Sequence, residues 1–245
     1  MQTYLLKRLF DITVSLSLLV ATSPFLILGI ILAACNGGMP FFLQKRLGVN
    51  CKEFTIYKLR TMKSPPADAA PVDIMPDSPE LTRIGRFLRN SCIDELPQLI
   101  NVLKGDMSIV GPRPHPKKHA ERYVSMDERY YQRYTTRPGL VCMVQVTALR
   151  YLTQTAEGLK ARTSSDLDYI KNISLLLDLK ILFKAACYVL TLSAYKTAPQ
   201  NNVITMPAQP VVFARKAAPV ILPYPQYTKK NIYKPQSAHP NYSEK

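Results

Sequence analysis

An α+β fold is predicted for this chain of 245 residues, and three kinds of stretch predict it. Ile12 to Ala34 runs for 23 residues without a charge or a histidine, long enough to cross a bilayer as a helix. Met39 to Leu43 and Phe54 to Arg60 read as short strands around a hairpin-like turn at Gly48-Val49-Asn50. Most of the remainder, from Leu81 to Leu192, has helical character. The expected organisation is a membrane-inserted helix (1–36), a small, mostly helical cytoplasmic domain (37–195) and a tail (196–245).

The apolar N-terminal stretch is not uniform. Pro24 lies near its middle and removes one backbone hydrogen bond, while Thr22 and Ser23 can re-bond the freed carbonyls. Lys7 and Arg8 precede the stretch, and Lys45 and Arg46 follow it. The preference of basic residues for the cytoplasmic side asks for both ends at once. A helix that enters, breaks at Ser23-Pro24 and returns satisfies it. A spanning helix kinked at the proline is equally open.

Beyond Gly37-Gly38, the residues Lys45, Arg46, Lys58 and Arg60 predict a basic surface beside the membrane, suited to headgroups or to phosphates. Lys63 to Glu80 is rich in Pro and Ala and predicts a mobile loop. In the helix expected over 81–90, Arg83, Arg86 and Arg89 recur every third residue and run towards two adjacent acids, Asp94 and Glu95.

Those acids stand where a helix is expected to begin. Pro97 fits only a first turn, Leu96, Leu99, Ile100 and Leu103 form an apolar stripe, and Gly105 is a natural stop. With Asp94 as N-cap or first residue, the helix start would face an anion such as phosphate. Ser91-x-x-Asp94 is also a capping pattern, and stability alone accounts for that much. Gly111-Pro112-Arg113-Pro114 adds what a cap does not need: an arginine on a backbone stiffened from both sides, which loses little entropy on gripping phosphate.

Further on, Lys117 to Tyr134 predicts a polar helix, Arg137-Pro138-Gly139 a turn and Val141 to Val146 a strand. Ser165 to Leu192 is strongly apolar, and its Asp178, Lys180 and Lys184 suit a helix lying in a membrane interface; a buried core helix competes. The last fifty positions carry eight prolines, seven basic residues and one acid without periodicity, the composition of a disordered basic tail.

The net charge of +15 asks for an anionic partner. Nucleic acid is disfavoured, since there is no Trp, no basic-aromatic cluster, and no role in such a partner for the apolar segment. The five cysteines are scattered without a C-x-x-C, so neither a disulfide framework nor a zinc motif is indicated. His115 and His119 lack companions for a metal site.

The chain resembles the bacterial sugar transferases, the monotopic phosphoglycosyl transferases acting on polyprenol phosphate. The resemblance runs in order through Lys7-Arg8-Leu9-Phe10-Asp11, Ser23-Pro24, Gln44 to Gly48, Tyr57 to Met62, Asp94 to Leu99, Asn101 to Met107, Gly111 to Pro114, Arg137 to Gly139 and Tyr169 to Ser174. It implies a re-entrant membrane helix broken at Ser23 and Pro24, interfacial amphipathic helices, and a site on the cytoplasmic face of the bacterial inner membrane. It also implies Mg2+, a UDP-sugar donor and undecaprenyl phosphate as acceptor, at the start of cell-surface glycan synthesis. By this likeness Asp94 is the nucleophile that takes a phosphosugar covalently and expels UMP. Glu95 helps hold the metal or handles a proton, so that both acids are metal ligands. Arg89 and Arg113 are the expected phosphate contacts and Arg137 a third. Membrane lipids are expected partners, and a homodimer is admitted. One departure stands out: after Gly139 the Gly-Trp and Asn-Gly pairs typical of the family are missing, which leaves the sugar open. The alternative is a catalytically weakened membrane scaffold of the same fold that binds anionic lipid or partner proteins.

Overall fold

The computed structural model describes residues 2–36, 38–62, 80–146 and 156–191. The expected loop over 63–80 lies almost wholly outside them, as do the last four residues of the departing loop 140–150 and the basic tail. Helix α1 spans Gln2–Cys35 and carries Pro24 in its interior. Proline cannot donate to the carbonyl four residues back, Val20, and the Ser23 hydroxyl takes its place at 2.8 Å. Thr22 Oγ1 likewise donates to Leu18 O. This helix is long and apolar enough to cross a membrane, and side chains such as Leu9, Leu16, Val20 and Ile27 are exposed on it.

Strands β1 (Phe41–Leu47) and β2 (Glu53–Leu59) pair antiparallel from Phe41↔Leu59 to Leu47↔Glu53. Both strands lie a little off the expected bounds because a 3-10 turn at Val49–Cys51, with Asn50 and Cys51 at positive φ, reverses the chain. Helix α2 covers Arg83–Asn90 and is capped by Thr82, whose side chain accepts from Gly85 N. Ser91 ends α2 instead of opening the next helix, its hydroxyl donating to Phe87 O and Leu88 O. The capping pattern Ser91-x-x-Asp94 is therefore not used.

Helix α3 is Gln98–Lys104, preceded by a 3-10 turn at Ile93–Glu95. The expected start at Asp94 is corrected by several residues: Cys92 turns left-handed at φ 58°, tightening the chain before Pro97 opens α3. Gly105 closes it at φ +88°, where a side chain would be strained. Leu99 and Val102 are fully buried in a core with Ile56, Met107, Ile109, Val110, Tyr169 and Ile181. Asn101 fixes α3 to β2, its Nδ2 donating to Thr55 O at 2.7 Å and its Oδ1 accepting from Tyr57 N at 3.1 Å.

Strand β3 (Ser108–Val110) pairs in parallel with β4 (Gly139–Val141), and a 3-10 turn at Met143–Val146 replaces the strand expected there. This pairing draws Gly-Pro-Arg-Pro and Arg-Pro-Gly together. Gly111 and Gly139 lie backbone to backbone, so a Cβ on Gly139 would stand 2.0 Å from Gly111 N. Helix α4 is Lys117–Met126, ending where Asp127 caps a 3-10 turn over Glu128–Thr135. Helices α5 (Ala156–Lys171) and α6 (Leu175–Thr191) divide the apolar stretch expected as one, with Ser174 Oγ accepting from Leu177 N at the break.

Asp178 faces the protein interior. It is buried under α1, salt-bridged to Lys7 and accepting from the Tyr169 hydroxyl at 2.8 Å. Lys180, Lys184, Leu176 and Phe183 point outward from the same helix. Asp11 of α1 accepts from Ser108 Oγ and Ile109 N, while Arg8 donates to Val102 O and Leu103 O. The charges of the N-terminal helix thus serve to fasten it to the domain.

Candidate active site

Four elements meet at the two acids. The turn after α2 presents Asp94 and Glu95, β2 presents Lys58, α2 presents Arg89 and the loop after β3 presents Arg113. Glu95 Oε1 accepts from Lys58 Nζ at 2.7 Å and from Arg113 Nη2 at 2.9 Å. Arg89 donates Nε to Thr61 Oγ1 at 3.1 Å and lies close enough to both acids for its charge to act on them.

Arg113 is braced as its flanking prolines suggest, and by more than prolines. Its carbonyl accepts from Arg133 Nη2 at 3.0 Å, and the next carbonyl, Pro114 O, accepts from Arg46 Nη1 at 3.0 Å. Arg133 is itself fixed by a fully buried ion pair with Asp166 at 2.7 Å. His115 sits beside it, sharing a 2.6 Å hydrogen bond with the Tyr130 hydroxyl. Burial, and then the charges of Arg133 and Arg162, hold its imidazole well below the usual range, hence neutral.

The two acids have opposite fates. Asp94 is 6% exposed, and no hydrogen bond is made to its carboxylate among the described residues. Burial pushes its carboxyl up to about 6; Lys58 opposes the rise, Glu95 adds to it, and Arg89 and Arg113 oppose it. Burial also acts on Glu95, but Arg113 and Lys58, at bonding distance, hold that carboxyl well below the usual carboxylate range. Burial lowers Lys58 and Arg89 against the pull of the same acids. Glu95 is thus fixed and ionised, whereas Asp94 is buried, unbonded and near its titration point at neutral pH.

Arg89, Arg113, Asp94 and Glu95 are together as the sequence predicts. Arg137 is not among them: its Nε donates to Gly105 O at 3.0 Å, at the opposite end of α3. Ser23 and Pro24 lie on α1, away from the acids in sequence and in element. Lys58 is the member that sequence reasoning placed elsewhere, on a basic surface. A signal for it exists, since residues alternate across a strand and Lys58 shares a face with Ile56, which is in the core. The expected surface itself dissolves: Arg46 and Arg60 bind backbone carbonyls, and only Lys45 stays exposed.

Among the described residues no three His, Cys, Asp or Glu side chains gather as a metal cluster. The two adjacent carboxylates remain, one of them unbonded. Magnesium, which takes one or two protein carboxylates and fills its shell with water and substrate phosphate, is compatible with that pair.

A buried carboxylate among three cations thus lies at a domain fastened to a helix long and apolar enough to cross a membrane. The chain belongs to the bacterial sugar transferase family, whose model matches residues 2–192. It is 39% identical over 191 residues to the exopolysaccharide production protein PSS of Rhizobium leguminosarum bv. phaseoli, covering 76% of this chain and 96% of that one. It is 40% identical over 186 residues to a UDP-glucose:undecaprenyl-phosphate glucose-1-phosphate transferase of Caulobacter vibrioides, covering 76% and 70%. A protein of the same name in Escherichia coli K12 is 38% identical over 180 residues, covering 73% of this chain and 39% of the relative.

Proposed function

We propose that this protein transfers a sugar-1-phosphate from a UDP-sugar to undecaprenyl phosphate, in two steps, through a phosphosugar held on Asp94. The observation that carries this reading is the unpaired, buried Asp94 carboxylate beside a Glu95 that is fully engaged. The Asp94 oxygen attacks the β-phosphorus, the bond from that phosphorus to the bridging oxygen breaks, and UMP leaves with the electron pair. An oxygen of undecaprenyl phosphate then attacks the same phosphorus and returns Asp94 as a free carboxylate. Transfer of this kind needs charge neutralisation and alignment more than a strong base. Lys58, Arg89 and Arg113 supply positive charge at Asp94, and Glu95 holds Lys58 and Arg113 at fixed positions. Mg2+, held by Asp94 and Glu95, would add neutralisation of the diphosphate when bound.

The membrane arrangement that fits best is re-entrant, on the cytoplasmic face. Both halves of α1 touch one domain: Lys7, Arg8 and Asp11 near its start, and Gly29 against Leu59 and Ile93 near its end. A helix with its two ends on one side keeps both contacts. A cysteine near residue 3 should then escape a membrane-impermeant thiol reagent added outside intact cells, and labelling would establish a span instead.

UDP-glucose, named for the relatives above, is the donor to test first, within a panel of UDP-sugars. UMP release that requires undecaprenyl phosphate for multiple turnovers is the expected result. No turnover with any donor, by folded protein in lipid, would favour the scaffold alternative.

A further inference from the structure

We propose that β1 is a second membrane-docking element, seating Met39, Phe41 and Leu43 in the lipid surface beside α1. Phe41 and Leu43 alternate along β1 and so share one face of it, 38% and 55% exposed, and Met39, just before the strand, is 71% exposed. Large apolar side chains repeated on one exposed face mark a surface that something covers. Phe42 and Gln44, which alternate with Phe41 and Leu43 along β1, are half-buried on the other side.

Two observations favour lipid as the occupant. The patch continues the apolar surface of α1: Phe41 pairs with Leu59, and Leu59 packs against Gly29, so this end of the hairpin lies at the C-terminal half of the helix. Ile27, Leu28 and Ile31 are exposed on that same half. The polarity then changes in the order a lipid surface requires. Next on the same face comes exposed Lys45, where a cation would meet anionic headgroups, and Leu47 beyond it turns into the protein core. A second copy pairing along the edge of β1 away from β2 is the competitor. Three side chains give only a fraction of the about 800 Å2 per partner that a standard interface buries.

This inference uses the membrane association of α1 but not the chemistry at Asp94, and the absence of tryptophan from the chain makes it directly testable. Single-tryptophan variants of the full chain, F41W and L43W, are placed in phosphatidylcholine–phosphatidylglycerol vesicles whose acyl chains carry bromine, a contact quencher. I27W on α1 reports anchoring, and S125W on the exposed side of α4 reports solvent. F41W and L43W should lose most of their emission, as I27W does, while S125W keeps its own. If I27W is quenched but F41W and L43W are not, β1 stays out of the lipid and the proposal fails while anchoring stands. If I27W is unquenched as well, the anchoring itself fails. Unquenched emission of L43W that moves to the blue as protein per lipid rises assigns the face to a second copy and also overturns the proposal. Should F41W not fold, L43W, at the more exposed position, carries the test alone.

Discussion

The acid pair and the Arg133–Asp166 cluster lie a few residues apart around Arg113, and both bury charge, yet they leave different remainders. At Asp166 the carboxylate meets Arg133, and Arg133 spends its other nitrogens on the Arg113 carbonyl and the His115 ring. At Asp94 three cations surround a carboxylate that makes no hydrogen bond to the described residues, and the nearest cations are bound to its neighbour instead. Charge satisfied in place holds a fold. Charge left over, in a structure that could have paired it, is what the proposed transfer would use. The two regions are also joined, since the Arg133–Asp166 cluster positions the backbone of the arginine that Glu95 binds.

The comparison is broken most severely at Asp94. D94N should lower turnover about 10³- to 10⁵-fold, the scale seen on removing a catalytic nucleophile. The same variant should be more stable than wild type at pH 7. A carboxyl raised to about 6 in the folded state binds protons more tightly than in the unfolded chain, so its contribution to stability is full below about 4 and is lost as pH rises through 6. D94N therefore gains roughly 2–3 kcal/mol at pH 7 and nothing below pH 4, measured by denaturant unfolding in lipid discs. Equal stability at both pH values would mean that Asp94 is not held out of water.

Asp166 should behave in the opposite sense. D166N leaves Arg133 buried without its counter-charge and should cost about 3–5 kcal/mol of stability, with no gain at any pH. A variant as stable as wild type would show that the cluster does not hold the fold.

The pairing of Glu95 is sharpened by E95Q. Removing its charge loosens Lys58 and Arg113 and should slow UMP release by about 10- to 100-fold, less than the loss at Asp94. UMP release in wild type should rise with pH through 6, as Asp94 ionises, and then level off. Because Glu95 helps raise Asp94, E95Q should move that rise to lower pH. A rise that stays put, or moves up, would remove Asp94 as its source.

The smallest effect belongs to Arg137. R137A loses one hydrogen bond to Gly105 O and should cost about 1–2 kcal/mol of stability, with the Michaelis constant for the donor close to wild type. A several-fold weaker donor affinity would return Arg137 to the substrate, where the sequence resemblance puts it.

Much of the site could be read from residue order, because its parts carry local signatures. Pro97 and Gly105 bracket α3, and the two prolines around Arg113 announce a stiff backbone. What escaped was set by tertiary contact. Strand alternation puts Lys58 on the face of Ile56, but only the packing of Ile56 into the core shows that this side of β2 faces the acids while Lys45 of β1 faces out. Asp178 misled for the same reason, its partner Lys7 lying 171 positions away at the other end of the chain. The helix boundary at Asp94 was misplaced because a 3-10 turn and a left-handed Cys92 leave no periodic mark.

The central claim, a covalent phosphosugar on Asp94, is tested most directly by trapping it. Wild-type protein in lipid is given a UDP-sugar labelled in the sugar, with no undecaprenyl phosphate, and is then digested and its peptides examined. Label should be retained on the peptide that contains Asp94, localised to Asp94 and not to Glu95, and should be discharged when undecaprenyl phosphate is added; D94N should retain none. Substantial UMP release by D94N, with no label on wild type under turnover conditions, would contradict the two-step reading and require direct transfer between the substrates.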